Sequence, residues 1–417
     1  MIAQEQPSQI EFYNILMKAL ISPCEAHRLI FTHLPPIAAI ACPIDECAGR
    51  ILQETVKADR PLPPFNRSMM DGYAIRAAEI TLTNTFSICA HISAGSPAQV
   101  LNDNLGSCAE IMTGAVVPSG ADCIVPYETT ELLTDGRIRL LKPAEHFSGS
   151  CIHPAGSDHP ANETLLNEKT RLGAREIAIA ATCGYSQLQV SKIPAIAIVS
   201  TGDELVDVDV TPAPHHIRRS NDLSIETALS NAKLSAKTRT HLPDDITISK
   251  IKLAELIRSN TFVIISGGIS MGKKDYIPTA LDELGLVNHF HGVKQKPGKP
   301  FGFWSSPECA VFTLPGNPLS TLVALHHYVI PAIEHAMGAP PKHSAHTVQL
   351  VDPIKTRDDI TVFLPVQLGA NNTARSNPAQ NSGDLVRILH SDGYIELPPT
   401  TKGTYPAEQS FEFFQWL

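Results

Sequence analysis

The sequence predicts a multidomain protein of the α/β plus β class, organised around a parallel-sheet α/β domain. Its 417 residues are enough for roughly two to four domains, each with its own core. Between residues 194 and 337, buried-type strands alternate with helical patterns, as in a parallel sheet covered by helices. On both sides of that region, short strand-like segments are separated by turn residues, which indicates β modules.

Composition limits the function. The chain has 33 Lys+Arg against 42 Asp+Glu, a formal charge of −9, so it lacks the basic excess typical of nucleic-acid-binding proteins. Its apolar runs are shorter than the ~20 residues that span a bilayer, and a secretory signal pattern is missing from its N-terminus. Nine scattered cysteines without a CxxC pair predict reduced thiols. We therefore expect a cytoplasmic protein without nucleic-acid or membrane partners.

The first half of the chain predicts a helical unit interrupted by a β module. Helical spacing indicates helices over residues 10–20, from Pro23 to before Pro35, and over residues 44–52. A proline cluster follows, and then short strands at residues 73–75, 86–92, 109–113, 123–127 and 137–141. An alanine-rich helix over residues 174–183 ends at Gly184. We expect this helix and the N-terminal helices to form one discontinuous unit around the β module, which has barrel or sandwich character.

The second half predicts the α/β domain and a closing β module. Strands are expected at residues 195–200, 238–242 (an edge strand), 262–265 and 310–313, and helices after Ser220-Asn221 and at 246–257 and 319–337. Beyond residue 340, strands are expected at 347–351, 361–367, 385–389 and 394–397, with no convincing helix. The resulting boundaries are 1–62 with 150–191 for domain I, 63–149 for the inserted domain II, 192–338 for domain III and 339–417 for domain IV.

Loops that follow the parallel strands predict the binding site, because ligands bind beyond the carboxyl ends of such strands. The strand before Ser266-Gly267-Gly268 leads through a glycine loop to a helix start, where backbone N–H groups can hold an anion. Carboxylates follow three strands, and such oxygen ligands suit Mg²⁺ bound together with substrate phosphates. They are Asp203 with Glu204, Asp244 with Asp245, and Asp275. For Asp203 the alternative is a solvated loop in which it caps a helix.

Two further loops could complete this site. Lys296 and Lys299 flank Pro297-Gly298, and two ammonium groups in a stiff loop can meet an oxyanion. The alternative is a basic turn in solvent. Residues 314–318 place Asn317 between two prolines just before a helix, which makes a rigid wall for a ligand. The alternative is a simple connection between a strand and a helix.

Six motifs in order resemble the molybdopterin molybdenumtransferase (MoeA) family, which includes the C-terminal part of gephyrin. They are Met70-Asp71-Gly72-Tyr73-Ala74, Met112-Thr113-Gly114-Ala115, Ser200-Thr201-Gly202-Asp203-Glu204-Leu205, Ser266-Gly267-Gly268-Ile269-Ser270-Met271-Gly272 with Asp275, Lys296-Pro297-Gly298-Lys299-Pro300, and Leu314-Pro315-Gly316-Asn317-Pro318. The resemblance implies a MogA-like domain III, a β-barrel domain IV, and a homodimer in which domain II of one subunit faces domain III of the other.

The resemblance also implies the activity, which is insertion of molybdate into adenylylated molybdopterin with Mg²⁺-dependent release of AMP. It implies contact with the upstream molybdopterin adenylyltransferase. Together with the loop patterns it assigns catalytic roles to Asp71, Thr113, Glu204, Asp244 and Asp275, of which Glu204, Asp244 and Asp275 would bind the metal. The binding residues would be Ser200, Thr201, Gly202, Asp203, Ser266, Gly267, Gly268, Ser270, Gly272, Lys296, Lys299, Pro315, Asn317, Pro318 and Ser382, and Asp158 matches a further acidic position.

The chain departs from the family pattern at three places. Residues 152–158 lack the usual arginine run, Asn66-Arg67 replace an Asp-Asn pair, and Arg218-Arg219 replace a Tyr-Asp pair. Since a guanidinium is a natural host for an oxyanion, one hypothesis is that Arg67 and Arg219 restore the lost charge. The rival hypothesis is a divergent, non-catalytic molybdopterin-binding or scaffold protein.

Overall fold

The computed structural model describes residues 20–269, 276–340, 346–378, 381 and 383–417. The helix expected at residues 10–20 falls almost entirely outside this part of the chain, as do Ser270, Gly272, Asp275 and Ser382. None of the helices in the described residues is both long and apolar enough to cross a membrane.

The first described helix begins where the sequence predicts. Helix α1 (Pro23–Thr32) starts after Ser22, whose Oγ accepts a hydrogen bond from the Glu25 N–H at 3.2 Å. The helix expected at residues 44–52 was wrong, because strand β1 (Ala39–Pro43) is followed only by a 3₁₀ turn at Ile44–Glu46. The backbone beyond it pairs elsewhere: Gly49 N–H donates to Leu172 O and Leu52 N–H to Thr170 O, so these groups cannot form helical bonds.

The next segment forms the expected β module. The strands of this segment are β2 (Val56–Lys57), β3 (Arg67–Ser68), β4 (Gly72–Ile75), β5 (Thr85–Ile92), β6 (Ser107–Ile111), β7 (Cys123–Pro126), β8 (Thr130–Leu132) and β9 (Arg137–Leu140), with 3₁₀ turns at Ala77–Thr81, Tyr127–Thr129 and Pro143–Glu145. Six of these strands form one sheet in the order β7-β4-β6-β5-β9-β8, with apolar clusters on both faces.

The chain then returns to pair with its own beginning. The returning elements are β10 (Ile152–His153), β11 (Thr164–Leu166), helix α2 (Ala174–Thr182) and β12 (Gln187–Ser191). They form the antiparallel pairs β3–β10, β2–β11 and β1–β12. Cys42, Leu52, Ala180 and Val190 belong to one buried cluster, so segments far apart in sequence share a core.

The α/β region positions the site. Its elements are β13 (Ile196–Thr201), β14 (Leu205–Val206), β15 (Ile217–Arg218), α3 (Asn221–Asn231), β16 (Ala236–Leu242), α4 (Ile246–Ser259), β17 (Phe262–Ser266), α5 (Ile277–Glu283), β18 (Val287–His291), β19 (Gln295–Lys296), β20 (Gly302–Ser305), β21 (Ala310–Leu314), α6 (Pro318–Ala324), a π-helical turn (Leu325–Val329) and α7 (Ile330–Ala336). The sheet has the order β16-β13-β17-β21-β20-β18, with β16 at the edge as expected. Strands β16, β13, β17 and β21 run parallel, whereas β20 and β18 add in antiparallel pairings that the sequence did not predict.

The last segment closes into a barrel, which confirms the β-barrel prediction. Its elements are β22 (Thr347–Leu350), β23 (Ile354–Lys355), β24 (Thr361–Leu368), a 3₁₀ turn (Ala370–Asn372), β25 (Thr373–Ser376), α8 (Leu385–Ile388), β26 (Gly393–Leu397), β27 (Thr404–Tyr405) and β28 (Ser410–Gln415). Strands β24-β25-β22-β28-β26 are neighbours in this order, and a pairing of β24 with β26 completes the ring.

The strand expected at residues 385–389 was wrong, because this segment is helix α8. A turn precedes it, in which Asn381 Oδ1 accepts from the Gly383 N–H at 2.9 Å and Asn381 O from the Asp384 N–H at 3.2 Å. Ile388 is then buried with Leu319 and Val323, so the segment packs on α6. A cavity of about 690 Å³ lies where α1, the π-helical turn and the barrel meet.

Candidate active site

The loops after β13, β17 and β21 meet at the carboxyl edge of the sheet, as the sequence predicts. Together with the segment before α3 they surround a cavity of about 700 Å³. The expected binding residues that line it are Ser200, Thr201, Gly202, Ser266, Gly267, Gly268, Pro315, Asn317 and Pro318. Glu204 and Asp244, expected to be catalytic, line it too. The cavity is large enough for a ligand of ordinary cofactor size.

Tight packing between two strand ends fixes the glycine loop. Gly267 has a φ of +96°, and a Cβ on it would lie 2.7 Å from Thr201 O. The Gly267 N–H donates to Leu314 O at 3.1 Å. Any larger residue would both strain this backbone and push the first strand away. The glycine is therefore needed to bring the loops after all three strands into contact.

Asn221 ties two of these loops to helix α3. Its Nδ2 donates to Ser266 Oγ at 2.9 Å and to Gly316 O at 2.8 Å. The sequence reading placed Ser220-Asn221 as a helix cap, and Ser220 is indeed the N-cap residue, but within the described residues its side chain makes no capping hydrogen bond. The sequence marked Asn221 only as part of a helix start, because its two partners depend on the tertiary fold.

The acidic side of the cavity is built by Glu204 and Asp244. The Glu204 carboxylate folds over Gly202, where a Cβ would lie 2.5 Å from Oε2 and the φ is +130°. Asp203 Oδ1 accepts from the Asp244 N–H at 3.0 Å, so it holds the neighbouring loop. The helix-cap alternative for Asp203 was wrong, since strand β14 and not a helix follows it. Asp203, an expected binding residue, is exposed and does not line the cavity in the described part of the chain.

These carboxylates fit a magnesium ion that is bound jointly by the protein and the substrate. In the described ranges, no cluster of three or more His, Cys, Asp or Glu side chains could hold a metal by itself. Mg²⁺, however, is commonly bound through one or two carboxylates together with substrate phosphates and water. Glu204 and Asp244, which line the same cavity, match that donor set. Asp275, the third expected ligand, lies outside the described residues.

Basic residues line the cavity beside the Glu204 segment. Arg218 and Arg219 contribute to the lining, as does the beginning of α3. Strand β15, which contains Arg218, pairs with β14, which directly follows Glu204. Arg218 Nε donates to Val210 O at 3.2 Å, and Arg219 forms an ion pair with Asp207. The hypothesis that Arg219 restores the missing positive charge is consistent with this position, whereas Arg218 was marked only as a departure from the family pattern.

The predicted lysine loop reaches the cavity only at its end. Pro300 lines the cavity, whereas Lys296 and Lys299 do not contribute to its lining in the described part of the chain. Strand β19, which contains Lys296, pairs in parallel with β24 of the barrel. A ligand role for the two lysines stays a prediction. Gly383, the neighbour of Ser382, does line the cavity.

Asp71 and Thr113 lie together in the β module and do not line this cavity among the described residues. Asp71 Oδ1 accepts from the Thr113 N–H at 2.6 Å and from Thr113 Oγ1 at 2.8 Å. These bonds stabilise the carboxylate, so the pKa of Asp71 is lowered, chiefly by the backbone N–H.

A polar chain runs near this pair. Arg67 Nη2 lies 3.1 Å from His153 Nδ1, and His153 Nε2 lies 2.7 Å from Asp158 Oδ1. Arg67 and Asp158, both singled out in the sequence, are thus connected through a histidine. This chain lies in the β3–β10 region, apart from the lining of the cavity described above.

The fold and the cavity define a ligand-binding α/β protein that carries two additional β modules. Family models match three successive regions: the MoeA N-terminal region (domain I and II) at residues 21–184, a probable molybdopterin binding domain at 197–335, and the MoeA C-terminal region (domain IV) at 347–416.

Known proteins extend this match over almost the whole chain. A molybdopterin molybdenumtransferase of Synechocystis is 34% identical over 95% of this chain and all of its own length. Gephyrin of Dictyostelium discoideum is 31% identical over 74% of this chain and 48% of its own length. The crystal structure of a molybdopterin biosynthesis MoeA protein from Pyrococcus horikoshii matches with a TM-score of 0.80 and 25% identity, over 95% of this chain and 99% of the other. The chain belongs to the MoeA family.

Proposed function

We propose that this chain is a molybdopterin molybdenumtransferase, an enzyme of molybdenum cofactor biosynthesis. The observation that carries the proposal is the 700 Å³ cavity, because the motif residues of three strand ends converge on it. The end-to-end likeness to the Synechocystis protein of that name supports the same activity. None of the relatives favours the non-catalytic alternative.

We further propose adenylylated molybdopterin and molybdate as the substrates, with AMP as a product. The cavity supports a phosphate-bearing substrate since it combines a glycine loop, the N-terminus of α3 and arginine side chains. Glu204 and Asp244 would hold Mg²⁺, which when bound supplies positive charge at the phosphate oxygens. The roles of this chain's own residues are to bind and to orient. The backbone at Gly267 and Gly268 faces the ligand, while Asn221 keeps the surrounding loops in place.

The position of Asp71 and Thr113 supports a homodimer as part of the proposal. Their carboxylate–hydroxyl pair is exposed on the β module, and the neighbouring Phe65, Met69 and Met70 are large apolar side chains that are also exposed. An exposed apolar group beside a predicted catalytic pair is typical of a contact surface. Asp71 and Thr113 would then complete the cavity of a second copy.

We also propose a cytoplasmic location and contact with the adenylyltransferase that makes the substrate. All nine cysteines are free thiols, which suits a reducing compartment. Contact between the two enzymes would suit a substrate that passes from the first to the second, because transfer within a complex limits the exposure of the adenylylated intermediate to water.

The test is AMP release from adenylylated molybdopterin by the purified protein, followed with and without molybdate and with and without Mg²⁺. We expect release only when both ions are present. Tight substrate binding without any molybdate-dependent release would contradict the transferase proposal and favour a binding protein. Release that is unchanged by chelation of Mg²⁺ would contradict the metal assignment alone.

A further inference from the structure

Arg219 occupies an unusual position among the residues of the cavity. It follows strand β15, and its N–H donates to Val206 O at 2.9 Å, so its backbone is fixed by the small β14–β15 pair. The side chain is 19% exposed and lines the cavity. A guanidinium this far removed from water needs hydrogen-bond acceptors for those of its donors that water does not reach.

The hydrogen-bonding capacity of Arg219 is only partly used. Its Nη2 is paired with Asp207. Its Nε is buried and has no hydrogen-bond partner within the described ranges. The carboxylate of Asp222 is buried behind it, but Oδ2 lies 3.9 Å from Nε, which is beyond hydrogen-bond distance. A buried donor without an acceptor is costly, so an acceptor that binds beside this guanidinium would be favoured.

The neighbouring arginines are engaged in other contacts. Arg218 donates from Nε to Val210 O at 3.2 Å and thereby holds the loop between β14 and β15. Arg239 also lies 3.9 Å from Asp222 and pairs with Glu226 at 3.2 Å, but it does not line the cavity in the described part of the chain. Arg67 contacts His153 in the β3–β10 region. Arg219 thus combines cavity exposure with an unused donor.

We propose that Arg219 binds a tetrahedral oxyanion of the substrate in this cavity, beside the N-terminus of helix α3. The proposal rests on the proposed function, because that function supplies two such groups, the nucleotide phosphate and molybdate. A planar guanidinium can bind an oxyanion through two parallel hydrogen bonds, and the N-terminus of α3 adds favourable charge. Asp207 would exchange one of its bonds for the ligand.

His241 provides a reporter for this charge. Its Nδ1 lies 3.3 Å from Ser200 Oγ at the end of the neighbouring strand. The pKa of His241 is lowered, first by burial and second by the charge of Arg219, while Ser200, Asp203 and Asp207 act in the opposite direction. An anion bound to Arg219 would offset that charge, so the pKa of His241 should rise on binding.

The experiment titrates wild type, Arg219→Ala, Arg219→Lys and Arg239→Ala with AMP, inorganic phosphate and molybdate in turn, using calorimetry. We expect Arg219→Ala to lose affinity by about tenfold or more, as for a lost charged hydrogen bond, and Arg219→Lys to lose less. Arg239→Ala is the matched control, since it shares the Asp222 contact, and should stay within about twofold of wild type. Loss confined to AMP and phosphate assigns the oxyanion to the nucleotide, and loss confined to molybdate assigns it to the metal oxyanion.

A second measurement needs no variant. The pKa of His241 in the wild-type protein, followed by NMR, should rise when AMP or molybdate is added. Unchanged affinity for all three anions in Arg219→Ala, or an equal loss in Arg239→Ala, contradicts the inference, as does a His241 pKa that does not move at saturation. If wild type also releases AMP from the full substrate, the proposed function stands without the inference. If affinity depends on Arg219 but no AMP is released, the inference stands and the transferase proposal falls.

Discussion

At the scale of single residues, the Asp71–Thr113 pair shows how two short-range bonds set an ionisation state. The carboxylate accepts from both the N–H and the hydroxyl of one residue. Its pKa is therefore lowered in the folded state. The stability that this gives is present at neutral pH and is lost as the pH falls through the folded-state pKa.

Thr113→Val removes the hydroxyl donor but keeps the shape and the backbone N–H. We expect the pKa of Asp71 to rise toward its ordinary value without reaching it, because the backbone bond, the larger cause, remains. Carboxyl-detected NMR titration of Asp71 measures this directly. Asp135, whose lowered pKa depends on Arg137, is an internal control and should not change. An unchanged Asp71 pKa would show that the hydroxyl bond is not formed in solution.

Gly202 is a second residue whose local geometry affects the site. Its φ is +130°, and its lack of a side chain leaves room for the Glu204 carboxylate. Gly202→Ala should cost about 1–3 kcal/mol in the free energy of unfolding and should displace Glu204. Urea denaturation and the Mg²⁺ concentration needed for half-maximal activity are the two measurements.

Gly184→Ala is the matched control, since Gly184 also has a positive φ, +82°, but a Cβ there meets nothing within 4 Å. It should lower stability without changing the Mg²⁺ requirement. If both variants changed that requirement equally, the placement of Glu204 by Gly202 would be disproved.

At the scale of elements, Asn221 connects helix α3 with the loops that follow β17 and β21. Asn221→Ala leaves the Gly316 carbonyl and Ser266 hydroxyl without this donor, so we expect a loss of about 1–3 kcal/mol in the free energy of unfolding and weaker substrate binding. Urea unfolding and KM measure the two effects. Asn231→Ala, at the exposed opposite end of the same helix, is the control and should alter neither. Unchanged KM in Asn221→Ala would separate this residue from the site.

The elements that sequence predicted well are those with a strong local pattern. Strands β13, β17 and β21 are buried along their whole length, and so appear in sequence as continuous apolar runs. The segment at residues 44–52 has a helix-like pattern too, but its backbone bonds to residues 170–172, which no local pattern reveals. Strand β18 is short and half polar, so its antiparallel pairing with β20 had no periodic signal.

The site could be predicted in part for the same reason. Strand ends and glycines mark a shared edge in the sequence, and the structure brings those residues to one cavity. The support of Asp244 by Asp203, and the free donor of Arg219, depend on contacts between loops separated by many residues. Residue type and spacing do not show these contacts between loops, and so cannot separate Asp203 from Glu204 as the residue that lines the cavity.

At the scale of the whole molecule, the half-buried His27 and the buried His327 lie between helix α1, the π-helical turn and the barrel. The His27 ring lies 4.8 Å from the His327 ring and 4.8 Å from the Tyr328 ring, measured between centroids. Burial lowers the pKa of His27 to about 4. The pKa of His327 is also lowered, by burial first and by His27 second. Acid must therefore charge groups that are neutral in the folded protein.

His27→Phe keeps a ring at this position and removes one of these titrations. Because the folded-state pKa lies below the unfolded value of 6.5, wild type loses stability as the pH falls from about 6.5 to about 4, by at most about 1.4 kcal/mol per pH unit for this group. The variant should show a shallower loss. Free energies of unfolding at a series of pH values measure it.

Glu396, whose pKa is raised by burial, titrates in both proteins and cancels in the comparison. His327 does not cancel, because the variant removes the charge of His27 that lowers its pKa; this change also makes the loss of stability shallower. His215→Phe, in an exposed loop, serves as the control and should retain the wild-type slope. Identical slopes in wild type and His27→Phe would mean that His27 is not buried in its neutral form.

The pairing of β19 with β24 has a mechanical consequence. Gln295 and Lys296 lie opposite Thr361 and Val362, and the Thr361 N–H donates to Lys294 O at 3.0 Å. The loop that begins at Lys296 is thus anchored to the barrel at one end, and at the other end it enters β20 of the α/β sheet. A hinge motion between the barrel and the α/β sheet would move this loop, because one of its ends is attached to the barrel and the other to the sheet. The reach of Lys296 and Lys299 toward the cavity is then set by the orientation of the barrel.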